Sequence, residues 1–93
     1  METDLKNRVL SPMELADTVD MMLSDDYLDR FRAEFHQTRI RYNKLREMLE
    51  KWDNGELDFT PACPREIYNV QLSSMSAYLG ILDYRRRQEG LFR

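Results

Sequence analysis

YLDRFRAEFHQTRIRYNKLREMLEKW, residues 27–52, decides the fold. Leu28, Phe31, Phe35, Thr38, Tyr42, Leu45, Leu49 and Trp52 follow one another at alternating steps of 3 and 4. That spacing is a heptad seam, and Thr38 is its one small polar member. At the rise of an α-helix the segment should be roughly 40 Å long. Ser24-Asp25-Asp26 supplies the cap before it, with acids where the helix dipole favours them. Asp53-Asn54-Gly55 ends it, because Asn or Gly suits a left-handed cap.

Beyond the seam lies GELDFTPACP, residues 55–64. It reads as a structured loop in which Leu57 and Phe59 tuck onto the helix ends. Pro61 and Pro64 stop either helix from running through it. Pro64 suits the first turn of another helix, with Cys63 near its N-cap and Glu66 in its first turn. That helix should reach about Gln88, and it carries two adjacent apolar stripes. One is Ile67, Val70, Ser74, Ala77, Ile81 and Tyr84; the other is Tyr68, Leu72, Met75, Leu79 and Leu82. One stripe can pack on the seam, and the other needs a second partner.

Before the seam, residues 1–10 read as a flexible lead. Ser11-Pro12-Met13-Glu14 is a helix start, with Ser as N-cap, Pro at the first position and Glu closing a capping box. The short helix that follows should present Leu15, Val19, Met22 and Leu23 on its apolar face. It is expected to cover part of the free stripe, and another subunit the rest. The fold class expected is therefore all-α. A single helical domain spans 11–93, with helices about 12–23, 25–52 and 64–88. The two long helices form an antiparallel hairpin, and hairpins assemble as a homo-oligomeric helical bundle.

Composition sets the outer limits. The chain has 93 residues, 42% hydrophobic and 33% charged, which fits one soluble helical domain. No apolar run approaches a membrane span, and the N-terminal residues do not read as a signal peptide. Cys63 is the sole cysteine, which excludes an internal disulfide and fits a reducing cytoplasm. The net charge of −3 hides segregation. Residues 1–29 hold eight acids and two bases, whereas residues 30–46 hold six bases and one acid. A basic island in an acidic chain can receive an anionic ligand or the acidic segment of a neighbour. The overall sign argues against DNA or RNA as a partner.

Catalytic chemistry has little to work with. One His and one Cys do not make a metal site of usual spacing, and no cofactor motif or Gly-rich phosphate loop is present. In an antiparallel hairpin, residues whose numbers sum to about 116 lie level, which separates His36 from Cys63 by some 25 Å. We expect neither an enzyme nor a metal site. The basic face is the better candidate. Gln37, Arg41 and Lys44 on the second helix, with Gln71, Tyr78 and Arg85 on the third, are expected to line one groove. Arg offers a planar fork to phosphate oxygens, and aromatic faces stack on bases. The composition suits an anionic nucleotide. It equally suits a helix–helix interface with paired polar edges. Arg32, Arg39 and Arg46 share the other flank of the seam, where pairing with acids of a neighbouring helix is the plainer reading.

YLDRFRAEFHQTRIRYNKL, GELDFTPACP, QLSSMSAYLGIL and RRRQEGL together resemble a family of small phage and prophage proteins labelled by relation to a crAss-like phage protein. The resemblance runs from about Val9 to Leu91. Its most specific part is LDFTPACP followed by Gln71, Met75, Tyr78 and Leu82. It implies a phage origin and the cytoplasm of an infected bacterium. In size and hairpin architecture the chain is also similar to phage anti-CBASS and anti-Thoeris sponges, which hold cyclic nucleotides or ADP-ribose derivatives of bacterial defence. That likeness is one of fold and implies no site residue. Two functions follow as expectations: a non-enzymatic nucleotide sponge, or a coiled-coil interaction module that inhibits a host protein.

Overall fold

The structure is a computed structural model that describes residues 13–90. These residues are all helical, with no strand among them. A 3₁₀ turn, Leu15–Thr18, leads into α1, Val19–Met22; α2 is Tyr27–Asp53 and α3 is Arg65–Gln88. Ser11 and Pro12, the expected helix start, lie outside the described residues.

α2 is the spine, and it is covered on two opposite faces. The seam faces α3, with Phe31 and Leu49 buried near the two ends of α2 and Leu82 buried on α3. Ala33 and Ile40, seven apart on the opposite face, are buried beneath the N-terminal segment. Leu82 is fully buried, which is worth about 1.5–3 kcal/mol by the transfer of its side chain from water. Asp26 caps α2 by accepting from the Leu28 amide at 3.1 Å.

The N-terminal segment differs from expectation. It is a 3₁₀ turn followed by a single α turn, not one helix over 12–23. Glu14 and Asp17 form a reciprocal capping box that starts the turn three residues later than Ser11 would. The expected apolar face is not the buried one. Leu23 is 72% exposed, and Val19 and Met22 are also exposed. The buried residue is Thr18, whose hydroxyl donates to the Leu15 carbonyl at 2.7 Å and accepts from Gln37 Nε2 at 2.9 Å. With both hydrogen-bonding roles satisfied, its burial carries no unpaired polar group.

α2 ends in a Schellman motif. The Gly55 amide donates to the Trp52 carbonyl at 3.1 Å and the Glu56 amide to the Lys51 carbonyl at 2.8 Å. Gly55 stands at φ 71°, a left-handed conformation that glycine adopts without a Cβ penalty. Leu57 is half-buried in the loop as expected, whereas Phe59 is exposed. Arg65, the first residue of α3, closes the hairpin. Its guanidinium meets both carboxylate oxygens of Asp53 and lies 5.4 Å over the Trp52 ring. Trp52 in turn packs edge-on against Tyr68 at 5.8 Å.

The stripe of α3 that meets the seam is Tyr68, Leu72, Met75, Leu79 and Leu82, all buried or half-buried. The other stripe, from Ile67 to Tyr84, is exposed at every one of its six positions. The N-terminal segment packs only on α2 and, among the described residues, does not reach α3. Its described residues therefore leave that stripe uncovered, contrary to the sequence expectation. The reason is geometric: the segment docks on Ala33 and Ile40, which face away from α3.

Candidate functional site

Gln71, Tyr78 and Arg85 are seven residues apart, so they form one row along α3 between its two stripes. Tyr27, Glu34 and Arg41 form the matching row on α2. The rows meet across the hairpin. The Tyr78 hydroxyl donates to the Glu34 carboxylate. Arg85 Nη2 donates to the Tyr27 hydroxyl at 2.8 Å, and its guanidinium lies 5.0 Å over the Phe31 ring. Arg85 also donates through Nε to Glu89 at 3.1 Å. That hydrogen bond to Glu89 is the main reason its pKa is raised further, so it is a permanent cation. The same antiparallel register sets Arg41 level with Gln71. Both are exposed, and neither has a hydrogen bond or ion pair among the described residues.

The six residues expected to share one groove divide into two groups. Arg41, Gln71, Tyr78 and Arg85 lie along the hairpin groove. Gln37 and Lys44 turn to the N-terminal segment instead. Gln37 donates to Thr18, and to the Met22 sulfur at 3.5 Å; Lys44 pairs with Glu14 at 3.1 Å. The physical cause is the second covered face of α2, since Ala33, Gln37, Ile40 and Lys44 form one stripe at steps of 4, 3 and 4. Sequence reasoning passed over Tyr27 and Glu34. Their signal was the seven-residue spacing from Arg41.

The groove holds phenol, carboxylate, guanidinium and amide groups in a line. Its upper part is internally paired, with Glu34 on Tyr78 and Glu89 on Arg85. Its Arg41–Gln71 part offers a cationic fork and an amide without internal partners. An anionic group could bind there by bidentate hydrogen bonds, with Tyr78 beside it as an aromatic face.

On the opposite flank the cations have partners, acids for Arg32 and Arg86 and rings for Arg39 and Arg46. Arg32 lies 3.7 Å from Asp29, Arg39 donates to His36 Nδ1 at 3.3 Å, and Arg86 pairs with Asp83 at 2.8 Å. Arg46 stacks over Tyr42 at 5.9 Å. Each of these contacts of the basic row, Arg32, Arg39 and Arg46, lies within α2 itself. Burial, and then the Arg39 and Arg32 charges, hold the His36 imidazole below its ordinary range. A further hollow of about 280 Å³ lies between α2 and the loop. Lys44 and Lys51 face Glu47, Glu56 and Asp58 in it, so acids outnumber bases and an anion gains little.

Among the described residues no three His, Cys, Asp or Glu side chains gather as a metal ion would need. No described helix is long and apolar enough to cross a membrane. No curated protein and no solved structure matches the chain. The Sequestin family model matches residues 25–88, which takes in α2, the loop and α3 and omits the N-terminal segment. With most of its length covered, and with the whole hairpin inside the match, the chain belongs to the Sequestin family.

Proposed function

We propose that this protein is a phage-encoded, non-enzymatic sponge. It binds and sequesters an anionic nucleotide of bacterial immune signalling, a cyclic oligonucleotide or an ADP-ribose derivative, and so inhibits host anti-phage defence. It works as a homo-oligomer in the cytoplasm of the infected cell. The observation that carries the reading is the pair of facing rows, Tyr27, Glu34 and Arg41 against Gln71, Tyr78 and Arg85. The family's name points to sequestration, and the matched residues contain both rows. The groove's phenols and carboxylates are paired with one another, Tyr78 with Glu34 and Tyr27 with Glu89, and leave Arg41 and Gln71 as its open binding groups, which suits holding a ligand over transforming it. Calorimetric titration with such nucleotides should give saturable binding at fixed stoichiometry, and the ligand should be recovered intact. Turnover, or no binding across the panel, would contradict the proposal.

One observation favours a second reading, an inhibitor of a host protein. Exposed Val19, Met22 and Leu23 lie beside exposed Asp17, Asp20, Asp25 and Asp26. That mixture suits docking on a basic host surface with an apolar centre. Removal of residues 1–23 would then abolish capture of one host partner while leaving nucleotide binding unchanged.

A further inference from the structure

The exposed stripe of α3 has an internal symmetry. Ile67, Val70, Ser74, Ala77, Ile81 and Tyr84 follow at steps of 3, 4, 3, 4 and 3, which read the same from either end. The side chains follow the same order: large at both ends and small at the centre. Ser73, Ser76 and Gly80 lower the surface around that centre, and a Cβ built on Gly80 would meet nothing within 4 Å. Among the described residues nothing else covers the stripe, and it contains no charged residue. Ile67, Val70, Ile81 and Tyr84 are each 55–65% exposed.

We propose that two copies of the chain pair antiparallel along this stripe, about a two-fold axis between Ser74 and Ala77. This deepens the reading that copies assemble, and it rests on that reading. A two-fold contact requires a self-complementary patch, and a palindromic stripe provides one. Ile67 then faces Tyr84 of the second copy, Val70 faces Ile81, and Ser74 faces Ala77. The small central residues let the helices approach at the short end of the usual 8–10 Å range.

Charge selects the antiparallel sense. Glu66 lies in the first turn of α3, and Arg85, Arg86 and Arg87 lie in the last. Glu66 has no ion pair among the described residues. The antiparallel register sets it level with Arg85 of the second copy and opposes the two helix dipoles. A parallel pair would instead stack three arginines on three. The contact also bears on the groove. The row of Gln71, Tyr78 and Arg85 borders the stripe, so the second copy forms an outer wall beside it.

The test is disulfide trapping of the full chain in a Cys63→Ser background. Light scattering should first show an even-numbered assembly of the unmodified protein. Val70→Cys/Ile81→Cys should yield a covalent dimer under mild oxidation. Val70→Cys alone and Ile81→Cys alone should not, because like positions lie roughly 16 Å apart along an antiparallel pair. Ala77→Glu, at an exposed position, should give a monomer with unchanged helical circular dichroism. Efficient cross-linking of Val70→Cys alone would mean a parallel pair and overturn the proposal. Multimers that survive Ala77→Glu and resist trapping of the double variant would move the interface elsewhere and overturn this contact only. A monomeric unmodified protein would overturn homo-oligomeric assembly as a whole.

Discussion

Gln37 and Arg41 are one helical turn apart on α2 and do different work. Gln37 satisfies the buried Thr18 hydroxyl, whereas Arg41 is exposed and belongs to the proposed site. Gln37→Ala should lower stability by about 0.5–1.5 kcal/mol, the net worth of one hydrogen bond, because the Thr18 hydroxyl keeps its bond to Leu15, with ligand affinity little changed. Arg41→Ala and Tyr78→Ala should do the reverse: stability within about 0.5 kcal/mol for Arg41→Ala, and ligand binding lost in both. Denaturant melts beside binding titrations separate the two patterns, and a ligand defect in Gln37→Ala alone would misplace the site. His36 adds a pH dependence. Its folded pKa lies below the ordinary value of about 6.5, so the unfolded chain binds the proton first as pH falls. Stability from this group is complete above about 6.5 and declines as pH drops toward the folded pKa. Urea midpoints measured from neutral to mildly acidic pH should show that slope, and His36→Gln should flatten it. At this scale the α3 row of Gln71, Tyr78 and Arg85 was read from the sequence, and its α2 counterparts Tyr27 and Glu34 were passed over. The turning of Gln37 and Lys44 was not legible, because both flank the seam equally well until a third element covers Ala33 and Ile40.

α3 shows what periodicity does and does not convey. Both of its stripes repeat with helical spacing, so both were legible, but spacing does not say which one meets α2. Residue size decides. Tyr68, Leu72, Met75, Leu79 and Leu82 fill the seam along its length, while Ser74 and Ala77 would leave a gap at its middle. Leu82→Ala should therefore cost about 2–4 kcal/mol in a denaturant melt. Ile81→Ala, one residue away and exposed, should cost under about 1 kcal/mol in protein diluted below assembly. Equal losses at the two sites would mean that the stripes are assigned the wrong way round. The N-terminal segment was the least legible element. Its residues carry two competing starts, Ser11-Pro12 and the Glu14–Asp17 box, and the structure uses the second. That choice shortens the segment and replaces the expected apolar face with Thr18.

Among the described residues α2 lies between two partners that do not touch, and the core is correspondingly thin. Only Phe31, Ala33, Ile40, Leu49 and Leu82 are buried apolar residues among those described, whereas ten large apolar residues stand exposed. A protein built this way gains from covering its outer face with a copy of itself, and the groove rows border that face. Membership of the Sequestin family is consistent with a structure made to hold something. The direct test of sequestration is a thermal-shift panel on purified protein. It would contain cyclic di- and trinucleotides, cyclic ADP-ribose isomers, ADP-ribose conjugates and NAD, followed by heat release and mass analysis of whatever was bound. The account predicts that one of these raises the melting temperature by many degrees, as tight binding to the folded state requires, and is released chemically unchanged. A flat panel from protein shown to carry no ligand already, or release of a converted product, would contradict it.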